Sequence, residues 1–281
     1  MNWLTVELVE GLQQAIRQGM PVHDHINNIQ HATLAGLLEY GCLRYTAASD
    51  SLPPLPAVVQ ISPLGRALSE IRSPLGLRSS GSQKPHIRSV DTREVEFHAL
   101  EGENPTLEPA WEDYMVRFVR SAVAAGFRQV IADGICATLH EMAENVQIHA
   151  ASPVGAVAGY HVTPGVSAFT IVDVGVGVLA SLRTCREYAH LSHHGDALQA
   201  VLRDHASKFG RGKGGNGFRQ LFKSLADQRG ELRFRTGQAR VTMSGELTNA
   251  LGTESFGEPI PGFQITVVCQ TADATTNRPL M

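Results

Sequence analysis

Three short stretches of the chain gather side chains suited to holding a charged, phosphorylated ligand. The first is LHEMAENVQIHA, residues 139–150. With ~100° of rotation per residue, Ile131, Ile135, Leu139, Met142 and Val146 fall on one narrow stripe of a helix, and Glu141 and Asn145 share one flank of it. Four residues apart, these two side chains are neighbours on the helix surface. The carboxamide oxygen of Asn145 is a hard ligand suited to Mg²⁺. The Glu141 carboxylate is suited to orienting or deprotonating a nucleophile.

The second stretch, FTIVDVGVGVLASL over 169–182, is an apolar strand that ends at Asp173 and continues into Gly175 and Gly177. Glycines there let the backbone turn and let a ligand approach without meeting a Cβ. An aspartate at a strand end can accept a hydrogen bond from an exocyclic amine such as that of adenine. Gly175-x-Gly177-x-x-Ala180 also satisfies the dinucleotide-binding fingerprint, but that reading needs a second parallel strand carrying an acid about 20 residues on, and the sequence supplies none there. The third stretch, GRGKGGNGFRQLF, packs five glycines between Gly210 and Gly217 just before a helical segment. Exposed backbone N–H groups at a helix start form a phosphate cradle, and Lys208, Arg211 and Lys213 add positive charge. It is not a Walker A loop, because Gly212-Lys213 is followed by Gly214 rather than Ser or Thr.

Taken in order, Glu-x-x-x-Asn-x-x-x-His on a helix, Asp-x-Gly-x-Gly after a strand and a glycine-rich loop opening a helix follow the N, G1 and G2 boxes of the GHKL superfamily. The stretch from about 109 to 270 resembles its smaller members: histidine-kinase catalytic domains, anti-sigma-factor serine kinases and standalone bacterial ATP-binding proteins. VLASLRTC, DALQAVLRDHASK and GELRFRTGQARVTM extend the likeness to the standalone group. The resemblance implies ATP and Mg²⁺ as cofactors. Asn145 would hold the metal, Glu141 would be the general base and Asp173 would read adenine. Gly175 and Gly177 would shape the pocket, 178–213 would form the lid, and Gly212, Gly214, Gly215 and Gly217 would wrap the phosphates beside Lys208, Arg211 and Lys213. His149 stands where the family often has a histidine, and its place in the apolar stripe suits a structural role. Where the family often has Gly-Thr opening the last strand, this chain has Gly262-Phe263; Thr266 receives no role.

The elements that must position these residues can be read from periodicity and breaks. Leu4, Leu8, Leu12 and Ile16 line one face of a first helix, and Ile26, Ile29, Leu34, Leu37 and Leu38 mark a second helical stretch. SLPPLP at 51–56 breaks the pattern. SPLG at Ser62 and again at Ser73 supplies two Ser-Pro helix starts. Residues 94–99 alternate as a half-exposed strand. Helices follow over 105–126 and 128–151, then the strands GAVAGYHV and SAFTIVDV around a Thr163-Pro164-Gly165 turn. After the glycine cluster come FRQLFKSLADQ as a helix, ELRFRT and ARVTMS as two strands linked through Gly237-Gln238, and FQITVVCQ as the closing strand. This order predicts an α+β protein: a two-layer α/β sandwich of the Bergerat type at 106–272, with helices on one face of a mixed sheet, preceded by a mainly helical N-terminal domain at 1–105.

Composition bounds the function. In 281 residues, 43% hydrophobic and 18% charged is the balance of a folded chain. A net charge of −3 argues against a nucleic-acid binder that works by bulk electrostatics. Four scattered cysteines without a CxxC pair indicate neither zinc knuckle nor disulfide framework and fit a reducing cytoplasm. Neither a secretory leader nor a membrane span is expected. HDHINNIQ at 23–30 offers a phosphorylatable histidine, but the prolines at 52–56 and the want of a second long helix speak against a histidine kinase. His190, His193, His194 and His205 lack the spacing of a metal site. The expectation is a cytoplasmic ATP-binding protein, an ATPase or nucleotide-gated switch with a protein partner of unknown identity. The alternatives are an anti-sigma-type Ser/Thr kinase and a non-catalytic regulator. Homodimerisation is left open.

Overall fold

The computed structural model describes residues 2–47, 52–71, 92–204, 206–207, 209–210, 230–244 and 253–274. Its centre is a five-stranded sheet in the order β3-β4-β5-β7-β6, built from β3 (Val95–Leu100), β4 (Ala156–Thr163), β5 (Val166–Asp173), β6 (Glu231–Ser244) and β7 (Thr253–Gln270). All four pairings are antiparallel, so the sheet is not the mixed one expected. The physical reason is connectivity: β4–β5 and β6–β7 each fold back on themselves, and β7 lands beside β5 running against it.

Helices cover both faces, giving three layers rather than two. On one face α6 (Pro109–Ala124), α7 (Gln129–His149), α8 (Gly177–Arg183) and α9 (His194–Asp204) enclose a core around Trp111, Tyr114, Phe118, Leu139, Met142, Phe169 and Ile171. The opposite face is covered by α1 (Val6–Arg17), α2 (His23–Asn27), α3 (Leu34–Thr46), α4 (Ala57–Gln60) and α5 (Pro63–Ser69), packed on Val157, Ala168, Val172 and Val268. A two-residue parallel ladder joins β1 (Trp3–Leu4) to β2 (His31–Ala32), so Leu4 ends a strand instead of opening the first helix. Ser62 caps α5 by accepting from the Gly65 N–H at 3.1 Å, as the Ser-Pro signal predicts; its repeat at Ser73 lies outside the described residues. Because β3 joins the sheet and the N-terminal helices bury its second face, segments 1–105 and 106–272 share one sheet. All eight residues of β5 are buried, as a strand sandwiched between two helical layers requires.

Buried charge locks the layers together. Glu96 on β3 receives three hydrogen bonds from the Arg117 guanidinium of α6, at 3.2, 2.9 and 2.7 Å, and a fourth from the Tyr160 hydroxyl at 2.9 Å. On the other face Arg233 of β6 bonds Glu39 of α3 and, at 2.5 Å, Glu10 of α1; Arg240 reaches Glu10 at 2.7 Å and Arg235 gives a bond to Gln13 at 2.6 Å. The two strands expected around Gly237-Gln238 form one long strand, β6, with a bulge at Gly237. Gly237 has φ +54 and sits under His194, where an added Cβ would lie 2.1 Å from the imidazole Nδ1, so glycine here serves a bulge and a close helix contact rather than a turn. Among the described residues no helix is long and apolar enough to cross a membrane.

Candidate functional site

The C-terminal end of α7 meets the end of β5, and glycine makes the meeting possible. Ala150, capping α7, accepts the Val176 N–H at 2.8 Å. A Cβ on Gly175 would lie 2.0 Å from that same carbonyl oxygen. Ala151, directly after the cap, sits at φ 45, the one left-handed non-glycine among the described residues. Such a conformation costs about 1–2 kcal/mol in an L-residue and marks a place where packing over-determines the backbone.

Asp173 organises the turn from beneath. Fully buried, it accepts the Gly175 N–H at 2.6 Å on Oδ1 and the Phe263 N–H at 3.2 Å on Oδ2. Gly262 donates to the Gly175 carbonyl at 2.7 Å. With φ +68, its missing Cβ would otherwise stand 2.4 Å from Asp173 Oδ1. Burial lifts the Asp173 pKa from 3.8 to about 6, and the two backbone N–H bonds pull the other way. Thr236 completes the arrangement: its hydroxyl donates to the Gly262 carbonyl at 3.0 Å and accepts the Val178 N–H at 3.1 Å, tying β6, β7 and the first turn of α8.

Above this brace lies a cleft between α7, α8, α9 and the sheet, with about 610 Å³ of space including the part open to solvent. Val178, Leu182, Val201, Phe234 and Phe263 make its apolar wall, and Asn145, His149, Ser181 and Ser207 supply polar groups. A mostly apolar cleft with a few convergent polar groups is the usual form of a small-molecule site. His149 Nδ1 stands 3.5 Å from the Ser181 hydroxyl. Phe263 stacks edge-on against Phe234 at 5.5 Å.

Of the residues singled out from the sequence, Asn145 and Gly177 line the cleft, while Asp173 and Gly175 lie one layer behind it as its brace. Glu141 is half-buried one turn before Asn145 and is not part of the cleft wall; its pKa is raised by burial and by Glu144, against the pull of His140. Lys208, Arg211, Gly212, Lys213, Gly214, Gly215 and Gly217 lie outside the described residues, which reach the cleft wall at Ala206 and Ser207. His149, expected inside the apolar stripe, is half-buried and faces the cleft. Thr236 and Ser181 were missed. A lone Thr in a strand and a lone Ser in a helix carry no spacing signal; only the fold brings them to the site. Thr266 pairs with the Thr170 hydroxyl at 3.0 Å inside the sheet, away from the cleft. Compared with known proteins, the chain matches no family model, no curated sequence and no solved structure.

Proposed function

We propose that this chain binds Mg-ATP in the cleft between α7, α8 and β7 and acts as an ATPase or a nucleotide-gated switch. The observation that carries the reading is the meeting of its first two sequence signals. Asn145 lines an apolar cleft whose floor turn, Gly175 to Gly177, is braced by Asp173. Aromatic and branched side chains at Phe234, Phe263, Val178 and Leu182 suit a flat purine base. Each Asp173 oxygen takes one backbone N–H and keeps a second lone pair; the carboxylate is covered by the turn it braces, so an exocyclic amine would reach it once that turn opens. Phe263 replaces a side-chain hydroxyl at this position with a backbone N–H to Asp173 and a ring against Phe234.

The metal fits the donor set in one respect. Among the described residues no three His, Cys, Asp or Glu side chains converge. A single carboxamide oxygen at Asn145 is compatible with Mg²⁺, which commonly takes one or two protein oxygens and completes its shell with phosphate and water. Bound there, Mg²⁺ would neutralise phosphate charge. Glu141, beside Asn145 on the helix, would hold or take a proton from an attacking hydroxyl. The kinase reading would use the same cleft with a partner Ser or Thr in place of water as the acceptor, and the regulator reading would use it for binding alone.

Calorimetry of Mg-ATP against the full chain tests the proposal. Micromolar to millimolar binding is expected, lost in Asp173→Asn and Asn145→Ala at unchanged circular dichroism. Equal affinity in wild type and both variants would remove the assignment.

A further inference from the structure

Behind the sheet lies a second cleft, between α1, α3 and the β6–β7 strands, with about 760 Å³ of space including the part open to solvent. Its walls hold two acceptors that receive no hydrogen bond among the described residues: Glu39 Oε2, with Arg235 Nη1 3.9 Å away, and Gln264 Oε1. Both residues are nearly inaccessible, at 1% and 3% exposure. A buried acceptor without a donor costs about 1–3 kcal/mol, so a cleft that gathers two of them is built for a group bearing N–H or O–H. Arg235 bounds the same cleft and Arg17 stands exposed on its wall. A guanidinium carries five donors in a planar fork, so a carboxylate can join acceptors it already serves. Ile16 and Ile260 give the remaining wall an apolar character.

Donor-seeking oxygens, guanidinium groups and branched side chains in one cleft select a molecule with three matching parts. We infer that this cleft binds a free α-amino acid with an apolar side chain. Its ammonium meets Glu39 and Gln264, its carboxylate meets Arg235 and Arg17, and its side chain lies on Ile16 and Ile260. A simple cation is disfavoured by the arginines, and a simple carboxylate leaves both acceptors unmet. The site is separate from the ATP reading and stands or falls without it.

The test is thermal unfolding of the full chain with each of the twenty amino acids at 10 mM. For leucine, two truncated probes accompany it: 4-methylpentanoate, lacking the ammonium, and 3-methylbutylamine, lacking the carboxylate. At least one of leucine, isoleucine, valine and methionine is expected to raise Tm saturably by about 2–4 °C. The truncated probes are expected to bind at least tenfold more weakly than leucine. Gln264→Leu should abolish the shift. Arg17→Ala, a change at an exposed position whose folding is checked by circular dichroism, should weaken it about tenfold and decides the matter if Gln264→Leu fails to fold. No shift with any amino acid overturns the inference. So does a shift that survives in Arg17→Ala unchanged, or one that 4-methylpentanoate reproduces in full.

Discussion

With its carboxylate buried and its pKa lifted to about 6, Asp173 titrates in a range accessible to ordinary buffers. The sign for stability follows from a folded pKa above the unfolded 3.8: the group's stabilising contribution is complete below 3.8 and is lost as pH rises through about 6. Nucleotide affinity should move the opposite way, because only the ionised form presents both oxygens as acceptors. At pH 5 about a tenth of the group is ionised, so affinity should fall roughly tenfold against pH 7.5. Calorimetry at the two pH values in wild type checks this; a flat profile would detach Asp173 from the ligand. Glu141 poses a different question at the same scale, since it lies beside the cleft rather than in its wall. Glu141→Gln keeps shape and hydrogen bonding but cannot take a proton, so turnover should drop ~10²–10⁴-fold with ATP affinity unchanged. Single-turnover rates measured alongside affinity separate the two effects, and equal turnover would refute Glu141 as the base.

Among the elements, those with strong internal periodicity were legible and those defined by distant partners were not. The α7 helix and the β4–β5 pair lie where the apolar stripe and the Thr163-Pro164-Gly165 turn place them. The continuous apolar run of β5 carried the signal of a strand covered on both sides, yet periodicity alone does not say what covers it. In this chain it is α3, from a segment far upstream. β6 was misread because Gly-Gln between two apolar runs has the composition of a turn. The structure instead uses the glycine for a bulge that admits α9. That difference is measurable. Gly237→Ala brings a Cβ onto His194 at a positive φ and should cost about 1–3 kcal/mol. Adding His194→Ala relieves the contact but not the backbone strain, so the pair should recover part of the loss. Urea unfolding of the three variants gives the coupling, and strict additivity would mean that the helix does not rest on the bulge. The site was legible to the same degree: Asn145 and Gly177 by motif, Thr236 and Ser181 only through the tertiary fold.

At the scale of the whole molecule, the layers are held by charge drawn from the two ends of the chain. Glu10 and Glu39 lie in the helices that begin it, and their partners Arg233 and Arg240 lie on β6, between 194 and 230 residues later. Contacts of such separation make folding slow, because loop closure precedes the reward of packing. The consequence belongs to biosynthesis. Translation at ~5–20 residues per second leaves the first helices waiting roughly 10–40 s before the strand that neutralises their acids leaves the ribosome. During that interval α1 and α3 have no β6 to dock on. Chains arrested after Asp204 should therefore leave residues 6–46 open to protease, and chains extended beyond Gln270 should protect them. Protection already present at the shorter length would show that the N-terminal helices fold as a unit of their own, and that β6 docks onto a surface formed before it.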